Sequence, residues 1–235
     1  MLLAQSPALA AICQAQSGVR MTPVIELYTS EGCSSCPPAD QWLSTLKAYA
    51  APDAPVVQAF HVGYWDYIGW VDRFADPAHT TRQRQIAAQN RLPTIYTPQV
   101  VRNGQDWRDW RQGRPVTGVG EAARATLTVK QLGPDRYEAT VQPGSGAPER
   151  WAAYWTVTEH GHNSRVSAGE NRGEFLKHDY VVRQYTPVGD YRGTATLALH
   201  TRAADAKHPR QINLVVYDPA SGRPLQALSL ACPTG

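Results

Sequence analysis

The distribution of hydrophobic residues divides the chain into two halves. In the first half, residues 24–29 (VIELYT) and 56–62 (VVQAFHV) form short, continuously apolar runs typical of buried strands. Between them, residues 37–50 repeat apolar positions at helical spacing behind two prolines, which suit the first turn of a helix. The other elements predicted for this half are a packed loop over 63–74, an exposed helix over 80–90, a strand over 100–101 and a strand around Trp107 and Trp110. The order β-α-β-α-β-β is an α/β layer pattern.

The second half alternates apolar and polar residues over short runs. The predicted strands cover residues 125–131, 137–142, 151–158, 180–185, 194–201 and 212–217. Turn-forming clusters rich in glycine and proline separate them, a pattern typical of an all-β sandwich. We therefore predict one domain over residues 21–113 and a second over 121–235, preceded by an N-terminal segment, 1–20.

A Cys-Ser-Ser-Cys-Pro sequence lies between the first predicted strand and the first predicted helix. At this position the free N–H groups and the positive dipole end of the helix would stabilise a thiolate on Cys33. Cys36 lies about one helical turn further on, where it would resolve a mixed disulfide formed by Cys33. The motif therefore predicts a redox-active pair of catalytic cysteines. A structural zinc site would need two more ligands at matching spacing, and the sequence has no second CxxC and no HxxxH.

Three sequence blocks of the first half resemble a known family. They cover residues 24–40 (VIELYTSEGCSSCPPAD), 60–67 (FHVGYWDY) and 96–99 (YTPQ). They are similar to the recurrent blocks of a bacterial family of secreted proteins that are thioredoxin-like and otherwise catalogued as a domain of unknown function. The resemblance implies a site formed by Cys33, Cys36 and Pro98, and it names no substrate. We therefore expect an α/β thioredoxin-like domain followed by an all-β, sandwich-like domain.

Thr97 and Pro98 directly precede the strand that ends at the Asn103-Gly104 turn, a strong hairpin signal. Thioredoxin-like folds place a cis-proline at this point, opposite the CxxC, and the backbone of the preceding residue pairs with substrate polypeptide. The alternative is an ordinary trans-proline at the start of a strand, since cis bonds are about 5% of X–Pro bonds. We predict that Thr97 and Pro98 position the substrate.

Four further residues of the first half are candidates for supporting roles. Glu26 is either a buried proton acceptor for Cys36 or a hydrogen-bonded strand carboxylate. His61 ends the second strand, where it would move protons, stabilise a thiolate, bind a metal or support the loop through a hydrogen bond. Trp65 and Asp66 either pack that loop or shape a substrate groove. The other histidines show no ligand spacing and have no predicted role.

The composition of the chain and the positions of its cysteines indicate where in the cell this chemistry would take place. A net charge of +3 without any basic cluster argues against nucleic-acid binding. No apolar run approaches the roughly 20 residues that a membrane-spanning helix needs. Cys13 and Cys232 lie near the two ends of the chain and are either two free thiols or, as we predict, a structural disulfide. Such a bridge requires an oxidising compartment, so we expect a periplasmic or secreted protein.

Three functions fit these residues. The first is an extracytoplasmic thiol–disulfide oxidoreductase that needs no cofactor and acts on protein thiols or disulfides, or on a redox partner protein. The second is Cu(I) binding or delivery through Cys33, Cys36 and His61, because soft thiolate ligands favour that ion. The third is a non-enzymatic binding module in which the CxxC is a structural disulfide. The Ser-Ser pair between the cysteines does not determine the direction of electron flow.

Overall fold

Strands dominate the fold. The computed structural model describes residues 13–49, 54–117 and 120–232, which form fourteen strands and two α-helices. The strands are β1 (Gln14–Gln16), β2 (Val24–Thr29), β3 (Val56–His61), β4 (Gln99–Arg102), β5 (Gln105–Asp106), β6 (Ala125–Gly133), β7 (Arg136–Pro143), β8 (Trp151–Glu159), β9 (His162–Arg165), β10 (Phe175–His178), β11 (Val181–Tyr191), β12 (Ala195–His200), β13 (Arg210–Tyr217) and β14 (Pro224–Leu230). The helices are α1 (Pro37–Thr45) and α2 (Pro77–Gln89), and 3-10 turns cover Leu46–Ala48, Asp66–Ile68 and Arg108–Gln112.

Strands β2 and β3 lie side by side and parallel, with Thr29 opposite His61 at their carboxyl ends. Every residue of both strands is buried, which is why their sequences are mostly apolar and do not alternate, although Glu26, Gln58 and His61 are buried among them. Helix α1 follows β2 and buries Ala39, Asp40 and Leu43. It is shorter than the helix predicted over 37–50, since its last turn tightens into a 3-10 turn, and residue 50 lies outside the described residues.

Helix α2 begins where the side chain of Asp76 accepts a hydrogen bond from the N–H of Ala78 at 2.8 Å. This N-cap places the start three residues before the predicted one. The expectation of an exposed helix is wrong for one face, because His79, Arg82 and Gln83 are buried. These polar side chains have partners inside the protein, and an amphipathic pattern does not indicate such partners.

The Asn103-Gly104 turn joins β4 to β5, as the hairpin signal predicts. Both turn residues have positive φ, and a Cβ on Gly104 would lie 2.3 Å from the carbonyl oxygen of Gly222. The strand expected around Trp107 and Trp110 is wrong, since β5 ends at Asp106 and the chain continues into a 3-10 turn. Trp110 is buried there against helix α1, so its apolar character reflects packing on the helix and not a place in the sheet.

Two sheets and a small hairpin organise the described strands. The larger sheet has eight strands in the order β14-β13-β8-β11-β3-β2-β4-β5, and a four-stranded sheet has the order β1-β6-β7-β12. Strands β9 and β10 form the separate hairpin. Leu127 and Val141 of the smaller sheet share one hydrophobic cluster with Trp155 and Leu214 of the larger one. The two sheets therefore enclose a common core.

The expected fold class, an α/β thioredoxin-like domain followed by an all-β domain, is wrong. The structure contains 42% strand and 15% helix, and it is dominated by β-sheet. The free edge of β3 is covered by β11 from the second half of the chain, with Ala59 opposite Val181. The sheet then continues antiparallel through β8, β13 and β14. Pairing between strands so distant in sequence leaves no local pattern, so the periodicities of the two halves did not reveal it.

The division into domains over 21–113 and 121–235 stays a prediction, and the eight-stranded sheet takes strands from both sides of that boundary. Of the predicted N-terminal segment, residues 1–12 lie outside the described residues, and β1 pairs with β6. Cys13 is bonded to Cys232 across a sequence separation of 219. Within the described part of the chain, no helix is long and apolar enough to cross a membrane.

Candidate functional site

The Cys33-Ser34-Ser35-Cys36 segment (the CSSC turn) follows the carboxyl end of β2 and leads into α1. The N–H of Cys33 donates to the carbonyl of Ser30, and the N–H of Cys36 donates to the carbonyl of Cys33, both at 3.1 Å. The two sulfur atoms form a disulfide with a Cα–Cα distance of 5.4 Å. Each cysteine is 1% exposed, whereas Ser34 and Ser35 are exposed. The turn thus presents its serines to solvent and covers its sulfur atoms.

The start of α1 differs from the arrangement expected to stabilise a thiolate. Pro37 and Pro38 have no N–H group, and the N–H groups of Ala39 and Asp40 donate to the carbonyl of Cys36 at 2.8 and 3.2 Å. These first-turn donors are therefore missing or already engaged. The Ser35 hydroxyl group is a further possible donor, because its oxygen is 3.4 Å from the Cys33 sulfur. Local stabilisation of a Cys33 thiolate would depend on that hydroxyl and on the helix dipole.

The connection between β9 and β10 holds the CSSC turn from outside the first half of the chain. The buried Asn171 amide donates to the carbonyl oxygens of Glu31 and Cys33, at 2.8 and 3.0 Å. The exposed Glu170 carboxylate accepts a hydrogen bond from the N–H of Ser34 at 3.0 Å, and this bond lowers the pKa of Glu170. Neither residue is predictable from the sequence, because nothing in a lone Glu-Asn pair indicates contact with a motif about 140 residues away.

Trp65 connects the CSSC turn with the two predicted substrate-positioning residues. Its indole N–H donates to the hydroxyl of Thr97 at 2.8 Å. Its Cβ lies 2.9 Å from the point where a Cβ on Gly32 would stand, so Gly32 permits this close approach. The peptide bond between Thr97 and Pro98 is cis, and the β2–β4 register places Pro98 at the end of β2 from which the CSSC turn follows. The structure therefore brings Trp65, Thr97 and Pro98 to the CSSC turn, and their roles stay predictions.

Asp66 organises the loop after β3. One carboxylate oxygen of Asp66 accepts a hydrogen bond from the N–H of Asp72 at 3.2 Å, and burial raises its pKa. This hydrogen bond lies within the loop, and both roles predicted for Asp66 stay predictions.

Glu26 forms a buried network in the middle of β2. Its carboxylate accepts two hydrogen bonds from the Arg82 guanidinium, at 2.5 and 3.0 Å. The hydroxyl groups of Tyr28 and Tyr154 donate to it at 2.7 and 2.9 Å. Burial, together with the adjacent carboxylate, raises the pKa of both tyrosines well above the usual value. Of the two roles predicted for Glu26, these four hydrogen bonds correspond to the hydrogen-bonded carboxylate.

Five ionisable residues, each at most 6% exposed, form what we call the histidine–carboxylate cluster: Glu31, Asp40, His61, Asp72 and His178. The ring of His61 lies edge-on to that of His178, with 4.9 Å between centroids, and Phe74 packs against both. The cluster joins the end of β3 to the start of α1 and to β10. Asp40 belongs to it four residues after Cys36, so it adjoins the CSSC turn.

His61 and Asp72 are tightly paired. The Nδ1 atom of His61 is 2.7 Å from an Asp72 carboxylate oxygen. Burial alone would raise the pKa of Asp72, but His61 and the backbone N–H groups of Glu31 and Phe74 outweigh it and lower that pKa to about 2. The Nε2 atom of His61 is buried without any hydrogen-bond partner among the described residues.

His178 lies between two carboxylates. Its Nδ1 atom is 3.3 Å from Asp40, and its Nε2 atom is 3.2 Å from Glu31. Burial alone would lower the pKa of His178, but these two carboxylates outweigh it and raise the pKa to about 10. No role was predicted for this histidine from the sequence. The available signal was the alternation in β10, where Leu176 and His178 share the buried face.

One group of three potential metal ligands is present among the described residues. Asp40, His61 and His178 place one ligand atom each within 4.8 Å of one another. With Cys33 and Cys36 joined in a disulfide, this group contains nitrogen and oxygen donors and no sulfur. His61 is the predicted ligand that belongs to this group, whereas its predicted partners were Cys33 and Cys36, because the positions of Asp40 and His178 depend on the fold.

A cleft of about 580 Å³ lies beside the CSSC turn. Its lining includes Ser34, Pro37 and Asp40 on one side and Phe175, Lys177 and His178 on the other. The cleft therefore extends from the outer face of the CSSC turn to two members of the histidine–carboxylate cluster.

Solved structures with the same architecture are known. A protein of Agrobacterium tumefaciens, solved as a structural-genomics target, is 23% identical over 92% of this chain and 96% of its own, with a TM-score of 0.66. HBP35 of Porphyromonas gingivalis is 12% identical over 91% of this chain and 76% of its own, with a TM-score of 0.59. At these identities the similarity concerns the fold. No curated protein matches the chain.

A family model described as "Protein of unknown function (DUF1223)" matches residues 24–217. The match extends from the first residue of β2 to the last residue of β13, so it spans the CSSC turn and the whole histidine–carboxylate cluster. The chain belongs to the DUF1223 family.

Proposed function

We propose that the protein is a thiol–disulfide oxidoreductase that acts outside the cytoplasm and exchanges disulfides with protein thiols through Cys33 and Cys36. The observation that carries this proposal is the position of the Cys33–Cys36 disulfide. It spans a turn whose two serines are exposed, at the rim of a cleft large enough to accept a peptide segment. A second disulfide, between Cys13 and Cys232, supports an oxidising compartment.

The exchange consists of two successive thiol–disulfide displacements, in which each new bond replaces one that breaks. In the oxidising direction, a client thiolate attacks the Cys33 sulfur, the Cys33–Cys36 bond breaks, and Cys36 leaves as a thiolate that takes up a proton. A second client thiolate then attacks the client sulfur of the mixed disulfide and releases Cys33. The client has lost two electrons to the cysteine pair, and the reverse sequence reduces a client disulfide. Because both cysteines are only 1% exposed, the incoming thiolate reaches the Cys33 sulfur only after a local movement of the groups around it.

Substitution of single cysteines tests this proposal. Cys33→Ser is expected to abolish thiol exchange with a reduced, unfolded client protein. Cys36→Ser keeps the attacking sulfur but removes the resolving one, so with a client that contains a disulfide it is expected to accumulate mixed disulfides, which non-reducing electrophoresis detects. The double variant Cys13→Ser with Cys232→Ser is the matched control and is expected to retain exchange. Absence of exchange in the unmodified protein, together with absence of trapped clients in Cys36→Ser, would contradict the proposal.

One observation favours a second candidate, a binding module in which the Cys33–Cys36 bond is structural. Both cysteines are only 1% exposed, and structural disulfides are typically buried and resist reduction. In that case the cleft would bind its partner equally well in the Cys33→Ser and Cys36→Ser variants, and neither variant would trap a client covalently.

A further inference from the structure

The three side chains Asp40, His61 and His178 point their ligand atoms at one small volume inside the histidine–carboxylate cluster. Those atoms lie within 4.8 Å of one another, and Asp40 Oδ1 is 3.3 Å from His178 Nδ1. Ligands bound at about 2.0–2.1 Å to a tetrahedral zinc ion are separated by about 3.4 Å. Small side-chain movements would therefore bring all three atoms to bonding distance of one ion.

Each imidazole has a carboxylate beside its other nitrogen, which is hydrogen-bonded in His61 and only adjacent in His178. Asp72 is 2.7 Å from Nδ1 of His61 and so directs the Nε2 lone pair inwards. Glu31 is 3.2 Å from Nε2 of His178, which leaves Nδ1 facing Asp40. A carboxylate on the second nitrogen is the usual arrangement behind metal-bound histidines, because it selects the tautomer and orients the ring.

The third ligand is oriented in the same way. One oxygen of Asp40 accepts a hydrogen bond from the Thr29 hydroxyl at 2.7 Å, and the other oxygen faces His178. The supporting carboxylates are fixed in turn, since Trp70 donates to Glu31 at 2.7 Å and two backbone N–H groups donate to Asp72. Asp40 and His61 therefore each have a hydrogen-bond partner on the side away from the other ligands, and Glu31 lies 3.2 Å from the second nitrogen of His178.

An independent observation concerns the Nε2 atom of His61. This side chain is fully buried, and its Nε2 has no hydrogen-bond partner among the described residues. A buried polar atom without a partner is costly, and a bound cation would give it one. Glu31 and Asp40 flank His178, which would release its proton on binding a metal, and the divalent ion would then offset the charge of these carboxylates.

The site is also accessible. Asp40 and His178 line the cleft beside the CSSC turn, so an ion can reach the two residues from solvent without crossing the core. His61 and Phe74 close the opposite side.

We propose that Asp40, His61 and His178 bind one divalent first-row transition-metal ion, for which Zn²⁺ is the probe. Two imidazole nitrogens and a carboxylate oxygen suit Zn²⁺ and its neighbours and do not suit Cu(I), which prefers sulfur. Three protein ligands leave a fourth position of a tetrahedral ion facing the cleft. The site uses no sulfur atom, so it does not depend on thiol exchange at the CSSC turn.

Equilibrium dialysis of the full chain with Zn²⁺, with the disulfides kept oxidised, tests the proposal. One equivalent is expected to bind. His61→Ala and His178→Gln are expected to weaken binding by at least about 100-fold, and Asp72→Asn, which removes a supporting carboxylate, by about 10- to 100-fold. His200→Gln, an exposed histidine on β12, is the matched control and is expected to leave the affinity unchanged. Circular dichroism verifies that each variant is folded.

Co²⁺ provides a readout that does not depend on affinity alone. The oxidised protein is expected to bind Co²⁺ with the visible absorption of a tetrahedral ion, and the conservative variant Asp40→Asn is expected to shift or abolish that absorption. The proposal is overturned if the protein binds no Zn²⁺, or if the His61 and His178 variants bind as tightly as His200→Gln. It is equally overturned if binding appears only after reduction and is lost with Cys33 and Cys36, since sulfur would then be a ligand.

Discussion

Among single residues, Glu26 shows most clearly how a buried charge is stabilised in this protein. It lies in the middle of a strand with no exposed residue, and its carboxylate is surrounded by Arg82, Tyr28 and Tyr154. The Arg82 guanidinium also stacks over the ring of Tyr154, with its central carbon 4.0 Å from the ring centre. A buried ion pair is expensive to break, because the remaining charge is left without a partner. We therefore expect Glu26 to contribute to stability and not to thiol chemistry.

Glu26→Gln tests this assignment. The substitution leaves Arg82 buried without its counter-ion, so the free energy of unfolding in urea is expected to fall by about 3 kcal/mol. Glu138→Gln, which removes a partly exposed pair with Lys130, is the control and is expected to cost less than about 1 kcal/mol. The rate of Cys36 alkylation in reduced protein should keep its pH dependence. An unchanged stability with a shifted alkylation profile would instead identify Glu26 as the proton acceptor of Cys36.

Residues of the candidate site could be predicted only where a few consecutive residues carry the signal. The cysteine pair is recognisable from four consecutive residues, and Thr97-Pro98 from its place before a hairpin strand. Asp40 and Glu31 belong to the same sequence block as the cysteines, but an isolated acidic residue does not reveal its partner. His178 and Asn171 reach the site from more than 130 residues away, and no spacing in the sequence encodes that proximity.

At the scale of elements, long periodic segments were predicted well and polar or short ones were not. Strands β6, β7 and β8 lie within two residues of their predicted bounds, because their alternation reflects one buried face. Strands β9 and β10 were missed, since HNSR and FLKH are too polar to indicate a strand. Strand β14 was missed because leucine, alanine and glutamine do not favour strands, and its pairing with β13 overrides that preference.

Asp179 connects several of these elements. It lies between β10 and β11, pairs with Lys47 of the 3-10 turn after α1 at 2.7 Å, and accepts a hydrogen bond from the N–H of Gly161. Burial alone would raise the pKa of Asp179, but the adjacent His160 and the hydrogen bonds from Lys47 and Gly161 outweigh it and lower the pKa below its usual value. A lowered pKa means that the charged carboxylate is more stable in the folded protein than in the unfolded one.

Asp179→Asn is therefore expected to destabilise the protein in a pH-dependent way. The contribution of Asp179 is fully present above its unfolded pKa of about 3.9 and is lost as the pH falls through the lower folded value. At pH 7 the free energy of unfolding should decrease by about 1 kcal/mol, allowing for solvent screening at the half-exposed Lys47. The difference from the unmodified protein should vanish in strong acid. A constant difference across this range, measured by urea unfolding, would contradict the assignment, and Glu121→Gln serves as an exposed control.

At the scale of the whole molecule, the CSSC turn lies where the two halves of the sequence meet. Strand β2 brings the turn to this point, and the β9–β10 connection holds it there through Asn171. The Cys13–Cys232 bridge was predictable from the positions of the cysteines near the chain ends. The continuous eight-stranded sheet was not, because the parallel contact between β3 and β11 joins residues that are more than 120 positions apart.

The protein contains two disulfides in contrasting positions, so each serves as a reference for the other. Cys33–Cys36 closes a turn of four residues at the rim of a cleft, whereas Cys13–Cys232 joins the two ends of the described chain beside the core shared by the sheets. Thiol exchange requires the first to be reduced and re-oxidised while the second stays intact.

The most direct test is the reduction potential of Cys33–Cys36, measured in glutathione or dithiothreitol redox buffers on the variant Cys13→Ser with Cys232→Ser. The potential of Cys13–Cys232, measured on Cys33→Ser with Cys36→Ser, is the reference. A working redox pair predicts a Cys33–Cys36 potential between about −270 and −120 mV, with Cys13–Cys232 below about −300 mV. A Cys33–Cys36 potential that is also below about −300 mV would contradict the proposed function and identify the bond as structural.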